Sequence, residues 1–372
     1  MVEFRWLLLA VLLLPFRGNS LGRGDSTGKR MPRIGVVFPL SGSGADKART
    51  ETVLEFYKGM VLANEICTAL DSGLEFHLFD HQNRIQELQR LDREGCFGGL
   101  DMLVGPARQA MLPALDSLAA LRNIPLMNVL THTTAGPFRS ALFSQQASVK
   151  AIARTAFNVL SPLSGGKKAG IVYGTEKTDS LLADAFRRIC QAEGKQVVLF
   201  RKVGKNSAAN LSKYLTEAGL DSTSCLFVPN NENLVRVQLL SAYGILQAKF
   251  PVMIYGKWLE SPAAEPDDYA SLPFFFAGPD LPDPLLPVKK TWESNFIARW
   301  GNPPGWIAWK GFDLAMLLSK KWYASKTGGF TIDDFSSGSG LFGGYRFDKG
   351  MPENQAVPVY RIEKTGLLRY QP

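Results

Sequence analysis

The 372-residue chain is 45% hydrophobic and 20% charged, a globular balance with length enough for two domains of about 100–200 residues each. Its formal net charge is +8, but half of that excess sits in residues 1–33, where Arg5, Arg17, Arg23, Lys29, Arg30 and Arg33 stand against Glu3 and Asp25. The remainder holds only scattered basic pairs (Lys167-Lys168, Arg187-Arg188, Lys289-Lys290, Lys320-Lys321), which excludes the clustered basic surface of a nucleic-acid-binding protein.

Residues 1–20 read as an export signal. Glu3 and Arg5 precede an apolar run over 6–16, broken only by Pro15; this is shorter than the ~20 residues needed to span a bilayer. Gly18 and Ser20 place a cleavage site after Ser20, and an uncleaved N-terminal anchor is the alternative. That anchor is the only membrane attachment the sequence supports. Residues 21–32, rich in Gly, Ser, Arg and Lys, form a flexible tether. In an exported chain, four cysteines permit two disulfides. Cys67 with Cys96 and Cys190 with Cys225 are the favoured pairings, because each pair falls within successive elements. No C-x-x-C is present, which removes zinc-ribbon and thioredoxin readings.

The body opens with a β-branched run, 34–38, that stops at Pro39. The loop Ser41-Gly42-Ser43-Gly44 follows, and a helix is predicted over 50–70, with Val53, Tyr57, Met60 and Val61 on one face and Thr52 with Glu55 as a capping box. Strands are predicted over 74–80, 102–106 and 124–130, and helices over 84–95 and 111–122. Alternating strands and helices with short loops indicate a parallel sheet covered on both faces. The plan then restarts: strands at 142–144, 168–173, 196–202, 225–229, 252–255 and 274–278, with helices at 148–160, 179–193, 211–218 and 233–246. A proline-rich crossover, 279–284, leads to helices over 288–300 and 306–325. The tail is read as a hairpin of 340–348 with 357–363. The fold class is α/β, two doubly wound parallel-sheet lobes.

Catalytic devices are missing from the pattern. His77 and His81 are four apart in a strand, not in a helical H-E-x-x-H. There is no G-x-S-x-G, no G-x-x-x-x-G-K-[ST], and Lys47 stands where a dinucleotide fingerprint needs its third glycine. Binding is therefore favoured over catalysis. The hydroxyls Ser41, Ser43, Thr131, Thr133 and Thr134 and the ring of His132 follow strand ends, where α/β proteins hold ligands; turn chemistry is the competing reading. In the second lobe, Glu176 and Asp179 follow the Gly174 turn, and Lys257, Trp258 and Glu260 follow the strand ending near Gly256. Trp258 is either an aromatic wall for a ligand or a packed corner.

Over residues 33–372 the chain resembles the type I periplasmic binding proteins, in particular the branched-chain amino-acid-binding (leucine-binding-protein-like) branch that serves ABC importers. The resemblance is carried by Ile34-Gly35-Val36-Val37-Phe38-Pro39-Leu40-Ser41-Gly42, Leu103-Val104-Gly105-Pro106, Ile124-Pro125-Leu126-Met127, Trp300-Gly301-Asn302-Pro303-Pro304, Lys310-Gly311-Phe312-Asp313-Leu314-Ala315 and the tail Phe347-Asp348-Lys349-Gly350 with Val357-Pro358-Val359-Tyr360-Arg361-Ile362. It implies lobe 1 from 33–142 with 279–337 and lobe 2 from 143–278 with 338–372. Three crossovers, near Phe143, Gly278 and Gly338, would act as a hinge. It also implies a non-enzymatic, cofactor-free periplasmic protein that closes over a small polar ligand, such as an amino acid, and hands it to an ABC permease. A related use of the same fold is an envelope sensor or regulator that binds a protein or a cell-wall fragment. The implied ligand set is Ser41, Ser43, Arg108, Gln109, Thr131, His132, Thr133, Trp258 and Glu260. Two departures stand out: Ala107-Arg108-Gln109 replaces a Ser-rich turn, and no aromatic residue lies near Thr178.

Overall fold

The computed structural model describes residues 30–41, 47–131, 141–255, 258, 267–278, 288–325, 330, 345–347, 353–364 and 366–370. In chain order these form β1 (Arg33–Phe38), α1 (Lys47–Ala69), β2 (Glu75–Asp80), α2 (Ile85–Arg93), β3 (Met102–Val104), α3 (Leu112–Arg122), β4 (Leu126–Asn128) and β5 (Leu142–Ala147). Then come α4 (Val149–Ser164), β6 (Lys168–Tyr173), α5 (Lys177–Ala192), β7 (Gln196–Lys202), α6 (Leu211–Glu217), β8 (Cys225–Pro229), α7 (Asn233–Ile245), β9 (Val252–Tyr255), α8 (Asp267–Ala270) and β10 (Phe274–Ala277). The last elements are α9 (Val288–Trp300), α10 (Trp306–Ala324), β11 (Glu353–Asn354), β12 (Val359–Glu363) and β13 (Gly366–Tyr370).

Two sheets result. The first has the order β2-β1-β3-β4-β5-β11 and is parallel throughout. The second has the order β7-β6-β8-β9-β10-β12-β13, parallel except for β12, which pairs antiparallel with both β10 and β13. The first five strands of both sheets share the 2-1-3-4-5 winding, which puts a topological switch point between β1 and β3 and another between β6 and β8. The chain divides at Ala147/Ser148, Pro279/Asp280 and Ala356/Val357, so it passes between the two units three times. Strand pairing explains the divisions. β5 pairs with β4 and β11 pairs with β5, so residues 143–147 and 353–354 lie in the first unit, beyond the boundaries at 142 and 338 read from the sequence.

In the first unit the sheet is covered on both faces. Ile34, Val36 and Phe38 enter a core with α1 and α10, while Val37 enters a second core with Leu88, Leu91, Leu112 and Leu115 of α2 and α3. Double coverage is why β1 reads as an unbroken apolar run. Thr52 is not a cap. Helix α1 starts earlier, and the Thr52 hydroxyl donates to the Ala48 carbonyl at 2.9 Å within it. Glu55 instead accepts the Gly305 N–H at 2.5 Å, ahead of α10.

The tail departs from the expected hairpin. β12 pairs with β13, from Val359↔Tyr370 to Glu363↔Gly366, which leaves the two-residue connection of a tight hairpin. Tyr345–Phe347 is not a strand, and Phe347 is buried against Phe143, with ring centroids 6.0 Å apart. The rest of 340–348 lies outside the described residues, as do 1–29. The end of the expected tether is held: the Arg30 guanidinium forms two bonds to the Asp101 carboxylate, at 2.8 and 2.5 Å, and its carbonyl accepts the Trp322 indole N–H at 3.1 Å.

No disulfide is formed; all four cysteines are free. Cys67 lies in the core on the α1/α10 face, 3.5 Å from Met316 Sδ, whereas Cys96 packs on the opposite face, so the sheet separates them. Cys190 and Cys225 are buried together without a bond, near Lys195, whose Nζ donates to Ser164 Oγ at 3.1 Å and to the Gly166 carbonyl at 2.5 Å. Burial pushes the Cys67 thiol up to about 11 and that of Cys190 to about 12, so both are unreactive protonated thiols at neutral pH. Among the described residues no helix is long and apolar enough to cross a membrane.

Candidate functional site

The carboxyl edge of the first sheet is organised by Asp80, the last residue of β2. Its Oδ1 accepts the Leu40 N–H at 2.9 Å and the Gln82 N–H at 2.8 Å, and its Oδ2 accepts the Ser41 hydroxyl. Burial would raise this carboxyl, but the bonds from Ser41, Gln82 and Leu40 outweigh it and hold it below its ordinary value. The loop after β1 is thereby tied to the loop after β2. Next to Asp80, His81 is fully buried. Its Nδ1 accepts the Asn83 N–H at 3.0 Å, so Nε2 carries the proton and donates to the Pro106 carbonyl at 3.1 Å. This joins β2 to the loop after β3, where Arg108 is half-buried and Gln109 exposed.

His81 makes a pH prediction. Burial lowers its pKa, and the charge of Arg108 adds to the effect. Above about pH 6.5 the ring is neutral in both the folded and the unfolded chain. Below that the unfolded chain takes up a proton that the folded ring refuses, so stability falls as pH drops from about 6.5 toward the lowered folded value. The thermal midpoint followed from pH 7.5 to 5 should show this loss, and a His81→Gln variant should show a shallower slope. An unchanged slope would mean that His81 is not held neutral.

Thr131 closes a turn after β4. Its hydroxyl donates to Asn128 Oδ1 at 2.6 Å, and Asn128 Nδ2 donates to the Thr131 carbonyl at 2.9 Å. The hydroxyl protons of Ser41 and Thr131, two of the predicted ligand donors, are therefore already committed. Ser41, Arg108 and Gln109 follow the two strands that flank the first switch point. Ser43, His132, Thr133 and Glu260 lie outside the described residues.

The second switch point has a different chemistry. The Gly174 N–H donates to the Pro229 carbonyl at 2.9 Å, linking the ends of β6 and β8. A Cβ on Gly174 would lie 2.2 Å from Asp179 Oδ2, so only glycine leaves room for that carboxylate. At the start of α5 the Glu176 N–H donates to Asp179 Oδ2 at 3.3 Å. Asn230, fully buried, donates to the Val203 carbonyl at 2.9 Å and accepts the Glu232 N–H at 2.8 Å. Burial, then repulsion from Glu176 and Glu232, pushes Asp179 up to about 6. One strand further on, Trp258 is 1% exposed. Arg236, on the inner face of α7, is 4% exposed. A cavity of about 300 Å³ lies away from both switch points, between the ends of α6 and α7, lined by Leu215, Leu246, Phe250 and Lys249.

Asp80, Asn128, Asn230 and Arg236 escaped the sequence reading. Arg236 had a detectable signal: it shares the i, i+3, i+7 row of α7 with Leu239 and Tyr243, an apolar row interrupted by a charge. The others are single polar residues at strand ends, which no spacing marks out.

No family model and no curated protein matches the chain. Solved structures match it along most of its length. A protein of Rhodospirillum rubrum described as a branched-chain amino acid ABC transporter superposes with a TM-score of 0.71 at 15% identity, over 92% of this chain and 100% of that one. The fold is that of a type I periplasmic binding protein. An ABC transporter substrate-binding protein of Desulfitobacterium hafniense in complex with Leu shares this binding-protein fold, at TM-score 0.59 and 17% identity, over 92% and 100% of the two chains. So does the C-domain of LpoA from Haemophilus influenzae, described as a regulator of PBP1A, at TM-score 0.62 and 16% identity, over 91% and 100%.

Proposed function

We propose that this chain is an exported solute-binding protein that closes on a small polar ligand, an amino acid or a related compound, and supplies it to an ABC importer from the periplasmic side. The observation that carries this reading is the repeated 2-1-3-4-5 sheet, which gives each unit a polar switch point at its carboxyl edge. Substrate-binding proteins of the same fold, one of them in complex with Leu, support it. The function proposed is binding, without cofactor or catalysis. The test is small-angle scattering of the full chain against a library of amino acids and aromatic acids, with calorimetry on any hit. A ligand that lowers the radius of gyration and binds with 1:1 stoichiometry is the expected result. A library without binding or compaction would overturn the proposal.

A second reading rests on a specific observation. Ser41 and Thr131 spend their hydroxyl protons on Asp80 and Asn128, which leaves the first unit with fewer free donors for a carboxylate than the resemblance implies. That favours an envelope regulatory module, a use of the fold illustrated by LpoA. Capture of an envelope protein or a cell-wall fragment, with no small-molecule compaction, would support it.

A further inference from the structure

Arg236 carries a charge that the described residues do not answer. It is 4% exposed, on the buried face of α7 with Val235, Leu239, Ala242 and Tyr243. Its Nε and Nη1 are sealed from solvent and have no hydrogen-bond acceptor. A guanidinium in this state is strongly unfavourable unless something else completes it. Helical side chains lean toward the helix N-terminus. From the fourth helical position Arg236 therefore leans toward the first turn of α7, beside the carboxyl end of β8. The cap there, Glu232, gives that turn no side-chain hydrogen bond, so the positive end of the helix is also open. Trp258 follows β9, the strand paired with β8, and its indole Nε1 is likewise buried without an acceptor.

We infer that this corner of the second unit binds the carboxylate of a small organic acid, with Arg236 as the principal donor. Every unsatisfied group named here donates, and none accepts, so the missing partner is an anion. A ligand there also meets an acidic edge. Glu176, Asp179 and Glu232 stand at the ends of β6 and β8, and the first and last of these already repel Asp179. A carboxylate offers two coplanar oxygens, which a guanidinium fork can take together. In the first unit Ser41 and Thr131 have spent their hydroxyl protons, and the second unit retains a fork suited to a carboxylate.

This inference rests on the solute-binding reading, and the experiment separates the two. The thermal midpoint and calorimetric affinity of the full chain are measured with L-leucine and benzoate, and with their uncharged counterparts L-leucinamide and benzamide. At least one acid should bind and its amide should not. Arg236→Met should weaken the acid about 10- to 100-fold, the range for a lost charged hydrogen bond, and should leave the ligand-free midpoint unchanged or higher, because no native partner is lost. Arg236→Lys, which keeps the charge without the fork, should fall between. A lower ligand-free midpoint or failure to fold in Arg236→Met, acid affinity unchanged in either variant, or no binding of either acid would each overturn the inference. A neutral solute that compacts wild type and Arg236→Met equally would overturn it while upholding solute binding.

Discussion

Gly311→Ala and Gly59→Ala should each lower the thermal midpoint by about 4–8 °C, from a loss of about 2 kcal/mol or more in a unit of this size. Gly59 lies in α1 and Gly311 in α10. A Cβ on Gly59 would stand 1.9 Å from the Ala308 carbonyl oxygen, and one on Gly311 would stand 1.9 Å from the Phe56 carbonyl oxygen. The obstructing atoms are backbone, so no rotamer change relieves them; the two helices must move apart. Their contact holds Phe56, Met60, Ala308, Phe312 and Ala315 in one core. Overpacking of a core costs about 1–3 kcal/mol, and a clash with main chain belongs at the upper end. Helix propensity opposes it, since alanine in place of glycine gains up to about 1 kcal/mol. The packing term wins. Because one displacement of α10 relieves both clashes, the double variant should lose less than the sum of the single variants. A rise in midpoint, as propensity alone would give, would mean that the helices do not meet at these glycines.

The same glycines show how far the fold was legible. Elements that obey one strong rule were read to within a residue or two: β6, β8 and β9 are apolar strands buried on both faces, and α9 is bounded as the sequence indicates, from Val288 to Trp300. The errors occur where a partner distant in sequence decides. β11 is two residues long and exists because β5 offers an edge. β13 carries no clean alternation in Gly-Leu-Leu-Arg-Tyr and is fixed by its register with β12. Thr52 and Glu55 have the spacing of a cap, but α1 begins upstream, and Gly305, 250 residues away, takes the carboxylate. Cys67 and Cys96 are near in sequence and lie on opposite faces of one sheet.

For the site, the sequence locates loops better than it identifies donors. Ser41 and Thr131 do follow strand ends, as their positions imply. Whether their hydroxyls are free depends on Asp80 and Asn128, whose roles only the folded geometry reveals. Small hydroxyls near a strand end thus report a turn as readily as a ligand. A charged residue on an otherwise apolar helical row, such as Arg236, is the more discriminating mark, because burial of its charge demands a partner.

Asp179→Asn should raise the thermal midpoint at pH 7.5 and have no such effect near pH 3.5. The Asp179 carboxyl is 3% exposed and is pushed up to about 6, by burial first and then by Glu176 and Glu232. The folded chain therefore holds this proton more tightly than the unfolded chain, whose aspartates titrate near 3.9. Its contribution to stability is fully present below the unfolded value and is lost as pH rises through about 6. At pH 7.5 the ionised folded state carries a penalty of about 3 kcal/mol. Asparagine removes the charge and keeps an oxygen to accept the Glu176 N–H, the bond Asp179 makes at 3.3 Å. It forfeits the attraction of an anion for the N-terminus of α5, about 0.3–1 kcal/mol. The net gain at pH 7.5 is about 2–3 kcal/mol, or about 4–12 °C. Glu232→Gln should recover a smaller part of it by removing one of the two repelling charges. Midpoints of wild type and Asp179→Asn that stay parallel from pH 7.5 to 3.5 would show that Asp179 titrates as an ordinary carboxylate, and that the ends of β6 and β8 are not the crowded acidic edge described above.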